Sequence, residues 1–85
     1  MAYRVEVLRT AGRELGALAP PIRRRVTRAI LALSNAPRPH GAILLSGRDA
    51  IWRVRVGDYR ILYRIHDDLV LVVVIRIRHH KDAYG

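Results

Sequence analysis

Between Ile51 and Tyr63 the chain reads IWRVRVGDYRILY, two alternating runs separated by Gly57-Asp58. A Gly-Asp pair suits a two-residue hairpin turn. Such a turn fixes the register, setting Val56 opposite Tyr59, Arg55 opposite Arg60, Val54 opposite Ile61, Arg53 opposite Leu62 and Trp52 opposite Tyr63. Side chains alternate faces along a strand. Trp52, Val54, Val56, Tyr59, Ile61 and Tyr63 therefore share one face, while Arg53, Arg55 and Arg60 occupy the other, with Arg64 just beyond. Like charges directly opposite one another are destabilising. A sheet that sets Arg55 against Arg60 without a facing carboxylate calls for an anion from outside.

The rest of the sequence narrows what that anion is. The 85 residues are 51% hydrophobic, enough for one modest core and a single domain over 1–85. Fifteen arginines and one lysine stand against seven acids, a net charge of +9. Such an excess points to nucleic acid, an anionic membrane or an acidic protein as partner. Arginine rather than lysine favours bidentate contact with phosphate or carboxylate, although a high-GC genome also drives Lys towards Arg. With no cysteine, disulfides, thiol catalysis and Cys-ligated zinc are excluded, which suits a reducing cytoplasm. No amino-terminal apolar region resembles a secretion signal. The longest apolar run, Leu69 to Ile75, is too short to span a bilayer and reads as a buried strand.

In chain order, Tyr3–Leu8 alternates and predicts a first strand. Thr10 can cap a short helix over Ala11–Leu18. Pro20-Pro21 opens a second helix, on which Ile22, Val26, Ala29, Ile30 and Leu33 form one apolar stripe, and Asn35, Pro37 and Pro39 end it. Ile43–Leu45 predicts a brief strand and Gly47–Ala50 a turn before the hairpin. A three-residue turn over His66–Asp68 would put Leu69, Leu71, Val73, Ile75 and Ile77 on the face of Trp52, and Arg76 and Arg78 beside Arg55 and Arg60. A two-residue turn would reverse this, and the clustering of charge favours the first. The expected fold class is α+β: an N-terminal strand, an antiparallel helical hairpin, then a mostly antiparallel three- to four-stranded sheet. The helices should cover one face and leave arginines on the other.

In this order, YRVEV, LAPPIRRRV, NAPRP, LSGRDAIWRVRVGDYRILYRI and RHHKDAY resemble the RelE/ParE superfamily of bacterial toxins over nearly the whole chain. WRVRVGDYRILY, the most specific segment, resembles the RelE branch. The resemblance implies a toxin of a type II toxin–antitoxin system, a ribosome-dependent endonuclease that cuts messenger RNA in the A site. It further implies a cognate RelB-like antitoxin, acidic and partly disordered, with the ribosome and messenger RNA as the other partners, a cytoplasmic location, and no membrane, cofactor or metal. Arg53 and Arg55 match positions where RelE-like toxins set basic side chains near the scissile phosphate. Arg60 matches the arginine that contacts it, and Tyr84 resembles the carboxy-terminal tyrosine proposed to activate the ribose 2′-OH or to stack on the base. Many relatives read Gly-His-Arg-Lys-Asp-x-Tyr where this chain has Arg78-His79-His80-Lys81-Asp82-Ala83-Tyr84. Arg78 and His80 both remain candidates for the general acid, and Arg76, His79 and Lys81 for RNA contact. A lysine common in relatives is replaced by Ser46.

Such cleavage needs a base at the 2′-oxygen, charge neutralisation at phosphorus and an acid at the 5′-oxygen. Converging guanidiniums can supply the second, and an ordinary imidazole, titrating near ~6.5, suits proton transfer. Trp52, Tyr59 and Tyr63 share the apolar face and read as core. Arg23, Arg24 and Arg25 read as a solvated helix face or a contact with ribosomal RNA or antitoxin, and His40 and His66 as turn residues. Adjacent His79 and His80 diverge and make a poor metal pair. Two other readings stand beside the nuclease: a non-enzymatic DNA gyrase inhibitor of the ParE kind, and a degenerate toxin acting with its antitoxin as autorepressor.

Overall fold

The computed structural model describes residues 2–81. Along the chain it forms β1 (Arg4–Val7), α1 (Arg9–Gly16), α2 (Pro20–Ala32), β2 (Ile43–Ser46), β3 (Ile51–Val56), β4 (Tyr59–His66), a 3-10 turn (Asp67–Leu69) and β5 (Leu71–His79). All five strands lie in one sheet in the order β1-β5-β4-β3-β2. β1 runs parallel to β5 and the other neighbours are antiparallel. Two helices beside one mostly antiparallel sheet is the α+β arrangement expected from the sequence.

The hairpin has the register read from its turn. Val56 pairs with Tyr59, Arg55 with Arg60, Val54 with Ile61, Arg53 with Leu62 and Trp52 with Tyr63. Gly57 takes φ +59, a left-handed conformation that glycine adopts without penalty. On one face Ile61 and Tyr63 are completely buried, with Trp52, Val54, Val56 and Tyr59 packed around them. The helices supply the other half of that core. Val26, Ile30 and Leu33 are buried along the predicted stripe, Ile22 and Ala29 pack beside them, and α1 contributes Ala11. Each valine, isoleucine or leucine among them contributes about 1.5–3 kcal/mol when fully buried.

The first helix is displaced from expectation, and the second starts where expected. α1 starts at Arg9, with Leu8 as its N-cap and no side-chain cap, rather than at Ala11 behind Thr10. The Leu8 N–H donates to Val74 O (3.0 Å) and Leu8 O accepts from the Gly12 N–H (2.8 Å). Strand pairing therefore runs directly into the helix, and Thr10 falls within its first turn. α2 begins at Pro20, so both prolines occupy its first turn, where neither has a helical N–H to lose.

β5 departs further. Its connection to β4 is four residues long: His66 pairs with Leu71, and Val70 closes the turn at φ +50. This places Val72 and Val74, both fully buried, in the cluster around Ile61 and Tyr63 in place of Leu71, Val73 and Ile75, although Leu71 is itself buried (7% exposed). A register shift then falls between Leu62–Arg76 and Tyr63–Val74, leaving Ile75 as an inserted residue. Such a bulge reverses the alternation. Ile77 consequently returns to the core opposite Ile61, and Arg78 lies opposite Arg60. The longer turn and the bulge each shift the parity by one, so the arginines end on the expected face.

A polar cluster ties the far end of the sheet. Asp67 accepts from Tyr3 Oη (2.6 Å) and from Arg38 Nη1 (3.3 Å) and Nη2 (2.8 Å). The Arg38 guanidinium lies 5.3 Å from the Trp52 ring centre. The buried Tyr63 donates its hydroxyl to Pro37 O (2.7 Å), and burial pushes its phenol up to about 12. The bonds from Arg38 and Tyr3 hold the Asp67 carboxyl at about 2. Because that value lies below the ordinary 3.8, the stabilisation is fully present above about pH 4 and is lost as the pH falls towards about 2. Asp67→Asn should therefore melt below the wild type at neutral pH, with the gap closing on acidification across that window. Circular-dichroism melts of both proteins over a pH series check it.

Candidate nucleic-acid interface

Opposite residues on paired strands project to the same face, so β3, β4 and β5 carry Arg55, Arg60 and Arg78 in a single cross-strand row. Adjacent strands lie about 4.8 Å apart. Arg60, the central member, is 7% exposed, Arg78 is half-buried and Arg55 is exposed. The next row contains Arg53, Leu62 and Arg76. Among the described residues no carboxylate forms an ion pair with Arg53 or Arg55, and the buried Nε of Arg53 has no hydrogen-bond partner. The buried side chains of α2 pack against the opposite face of the sheet. The face of the row presents arginines on three adjacent strands, most exposed at Arg55 and least at the central Arg60, an arrangement suited to contacting the oxygens of a phosphodiester.

The remaining candidates separate. Arg76 gives its guanidinium to Glu14 of α1, with Nε 3.2 Å from both carboxylate oxygens and Nη2 3.0 Å from Oε2. His79 pairs with Tyr59 on the helix-covered face, its ring meeting that of Tyr59 edge-on at 5.2 Å. Its Nδ1 accepts from the Lys81 N–H (3.3 Å), and Lys81 itself is exposed. His80 follows Arg78 by two residues. Its amide donates to Asp58 O at the hairpin tip (2.8 Å), its ring tilts against His79 (4.5 Å), and its buried Nδ1 has no hydrogen-bond partner among the described residues. His80 is thus tethered to the end of the arginine row, whereas His79 belongs to the other face. Tyr84 lies outside the described residues.

Around the row, Arg64 donates Nε to Asp49 O (3.2 Å). On α2, Arg24, Arg25 and Arg28 are exposed, and a methyl group placed on Gly57 would sit 3.4 Å from Arg25 Nη1. The helix layer therefore reaches the hairpin tip. Sequence reasoning missed Glu14; its one visible signal was a lone acid on an otherwise basic helix. Among the described residues no group of three or more His, Cys, Asp or Glu could hold a metal ion, and no helix is long and apolar enough to cross a membrane.

Residues 5–84 match a family described as the ParE toxin of type II toxin–antitoxin systems, parDE. Over 85 residues the chain is 38% identical to the toxin RelG of Mycobacterium tuberculosis, covering 99% of this chain and 98% of that one. Its fold is similar to the toxin–antitoxin complex RelBE2 of M. tuberculosis (33% identity, TM-score 0.82, 93% of this chain and 92% of that one). It is likewise similar to the archaeal RelE–RelB complex of Pyrococcus horikoshii (25% identity, TM-score 0.83, 93% and 96%).

The two arginine environments predict different responses to salt. Arg55→Ala should weaken binding to a short single-stranded RNA and reduce the slope of log K against log salt by about 0.7, one phosphate contact. Arg4→Ala, which removes an exposed ion pair with Glu6 on the edge strand β1, should leave the slope unchanged. Fluorescence anisotropy across a salt series measures both.

Proposed function

The chain belongs to the RelE/ParE family of toxins from type II toxin–antitoxin systems, and on that premise we propose that it is a ribosome-dependent endonuclease that cuts messenger RNA in the A site. The observation that supports this reading is the single row of Arg55, Arg60 and Arg78 across three strands. Attack of a ribose 2′-OH on the adjacent phosphorus gathers negative charge on the non-bridging oxygens. Guanidiniums held on a rigid sheet stabilise that charge without reorganising as it forms, often the largest catalytic contribution. With this charge met by arginine, the reaction has no requirement for a metal.

The proton steps fall to the carboxy-terminal segment. A base removes the 2′-OH proton, the 2′-oxygen forms a bond to phosphorus, and the bond to the 5′-oxygen breaks. The products are a 2′,3′-cyclic phosphate and a 5′-OH, the latter completed by a proton from an acid. Tyr84 is assigned as base and His80 as acid, with Arg78 as the other candidate for the acid. His80 is suited to this by its tether to Asp58 O beside the row. Arg53 and Lys81 extend the cationic track along the RNA, and Arg76 and His79 flank it from positions engaged with Glu14 and Tyr59.

As in the RelBE2 and RelE–RelB complexes, the partner proposed here is a RelB-like antitoxin. A net charge of +9 suits an acidic segment that folds as it binds, and the ribosome as target implies a cytoplasmic site of action. The matching family's description favours one second reading, non-enzymatic inhibition of DNA gyrase as expected of the ParE kind.

Purified protein added to a bacterial cell-free translation extract separates the two. Primer extension should reveal cuts at A-site codons. Arg60→Ala should lower their rate by about 10²–10³-fold, the usual effect of losing one preorganised charge-stabilising group, and His80→Ala and Tyr84→Phe should each slow cleavage. Intact messenger with undisturbed translation, followed by inhibition in a supercoiling assay, would select the gyrase reading instead.

A further inference from the structure

The last five residues of β5 are held on fewer sides than the first four. β1 ends at Val7, opposite Val74, so from Ile75 onward β5 has a strand neighbour only in β4. The Ile75 bulge falls where that second neighbour is lost, and the bulge decides the face of everything after it. Upstream, Val72 and Val74 point into the core. Continued without the inserted residue, the alternation would send Arg76 and Arg78 in after them. With it, Ile77 enters the core and Arg78 joins Arg55 and Arg60.

Where β1 stops, α1 takes over with one side chain. Glu14 Oε1 accepts the Ile77 N–H (2.8 Å), an edge donor that β1 leaves unpaired, and both carboxylate oxygens hold the Arg76 guanidinium. The two residues immediately after the bulge are thus clamped, one through its backbone and one through its side chain, across 62 or more positions of sequence. The Glu14 side chain is 23% exposed. Burial pushes its carboxyl up, but the bonds from Arg76 and the Ile77 N–H outweigh this and hold it below the usual carboxylate range.

We propose that Glu14 is a positioning residue, which fixes the bulge at Ile75 and so keeps Arg78 in the arginine row. Its effect on cleavage rests on the ribonuclease reading, whereas its effect on strand register does not. Loss of a surface ion pair that only adds stability would lower the melting temperature without altering the register. A register clamp instead acts through one particular neighbour, Arg78.

The test combines two measurements on the full chain. Amide exchange followed by NMR should show the Ile77 N–H exchanging at least about 10-fold faster in Glu14→Ala, as expected for loss of a charge-assisted bond. Cross-strand contacts between Arg60 and Arg78 should weaken at the same time. Glu14→Gln, which keeps an acceptor for that N–H, should recover most of the protection and stands in if Glu14→Ala fails to fold. In messenger cleavage on ribosomes, Glu14→Ala should lower kcat about 10- to 100-fold, the scale of a small misplacement of a reacting group, with KM nearly constant. In an Arg78→Ala background the same change should cost less than about 2-fold, since the two act through one position. Unchanged Ile77 exchange in Glu14→Ala, or losses that multiply in the double variant, would overturn the proposal. Absence of cleavage by the wild type would overturn the ribonuclease reading alone, and the exchange and contact data would still decide the role of Glu14.

Discussion

Three arginines side by side on neighbouring strands repel one another, and the rest of the fold has to offset that repulsion. Like charges directly opposite one another on paired strands are destabilising. Arg55–Arg60 and Arg60–Arg78 are two such opposed pairs. The same alternation that gathers them also gathers Ile61, Tyr63, Val72, Val74 and Ile77 on the opposite face, all nearly or completely buried beneath α1 and α2. At about 1.5–3 kcal/mol for each large apolar side chain, the core outweighs the row. Neither face can move without the other, because a one-residue slip exchanges them. The charge cluster is therefore held rigidly by the hydrophobic core, which is what preorganised electrostatic stabilisation requires.

Long-range polar ties protect this arrangement at its two weak places. At one end, Asp67 joins the β4–β5 turn to Tyr3, ahead of β1, and to Arg38 in the loop after α2. Beside it, Ser34 Oγ donates to Tyr3 O (2.6 Å) and the Tyr3 N–H donates to Ser34 O (2.7 Å), tying the amino terminus to the end of α2. At the other end, Glu14 holds β5 beyond the reach of β1, and Asp58 O holds His80 at the hairpin tip. Neither end relies on a long strand ladder. Each relies on one carboxylate or carbonyl reaching across the sheet.

Local patterns were legible and distant pairings were not. The hairpin register followed from Gly57-Asp58 and strict alternation, and the buried face of α2 from the spacing of Val26, Ile30 and Leu33. Both depend on neighbours within a few residues. The β4–β5 turn hid its length because Val70, a residue type that rarely takes φ +50, gives no turn signal. The bulge at Ile75 lay within a run of apolar residues that masks any change of parity. These two displacements compensate, which is why Ile77 and Arg78 lie on the expected faces although Leu71 and Val73 do not and Ile75 is the inserted residue. His79, a candidate for RNA contact, pairs with Tyr59, which places it on the face opposite the arginine row. Glu14, Asp67 and the parallel pairing of β1 with β5 required the fold, since their partners lie far away in sequence.

The central claim is that the arginine row grips an RNA phosphate. Arginine Nε–Hε spectra, recorded while a non-cleavable oligonucleotide with a 2′-deoxy group at the scissile position is added, test it most directly. The account predicts that Arg55, Arg60 and Arg78 shift together, in proportion to bound RNA, while Arg24 and Arg28 on α2 change little. Shifts confined to the α2 arginines, with the row unmoved at saturation, would contradict it.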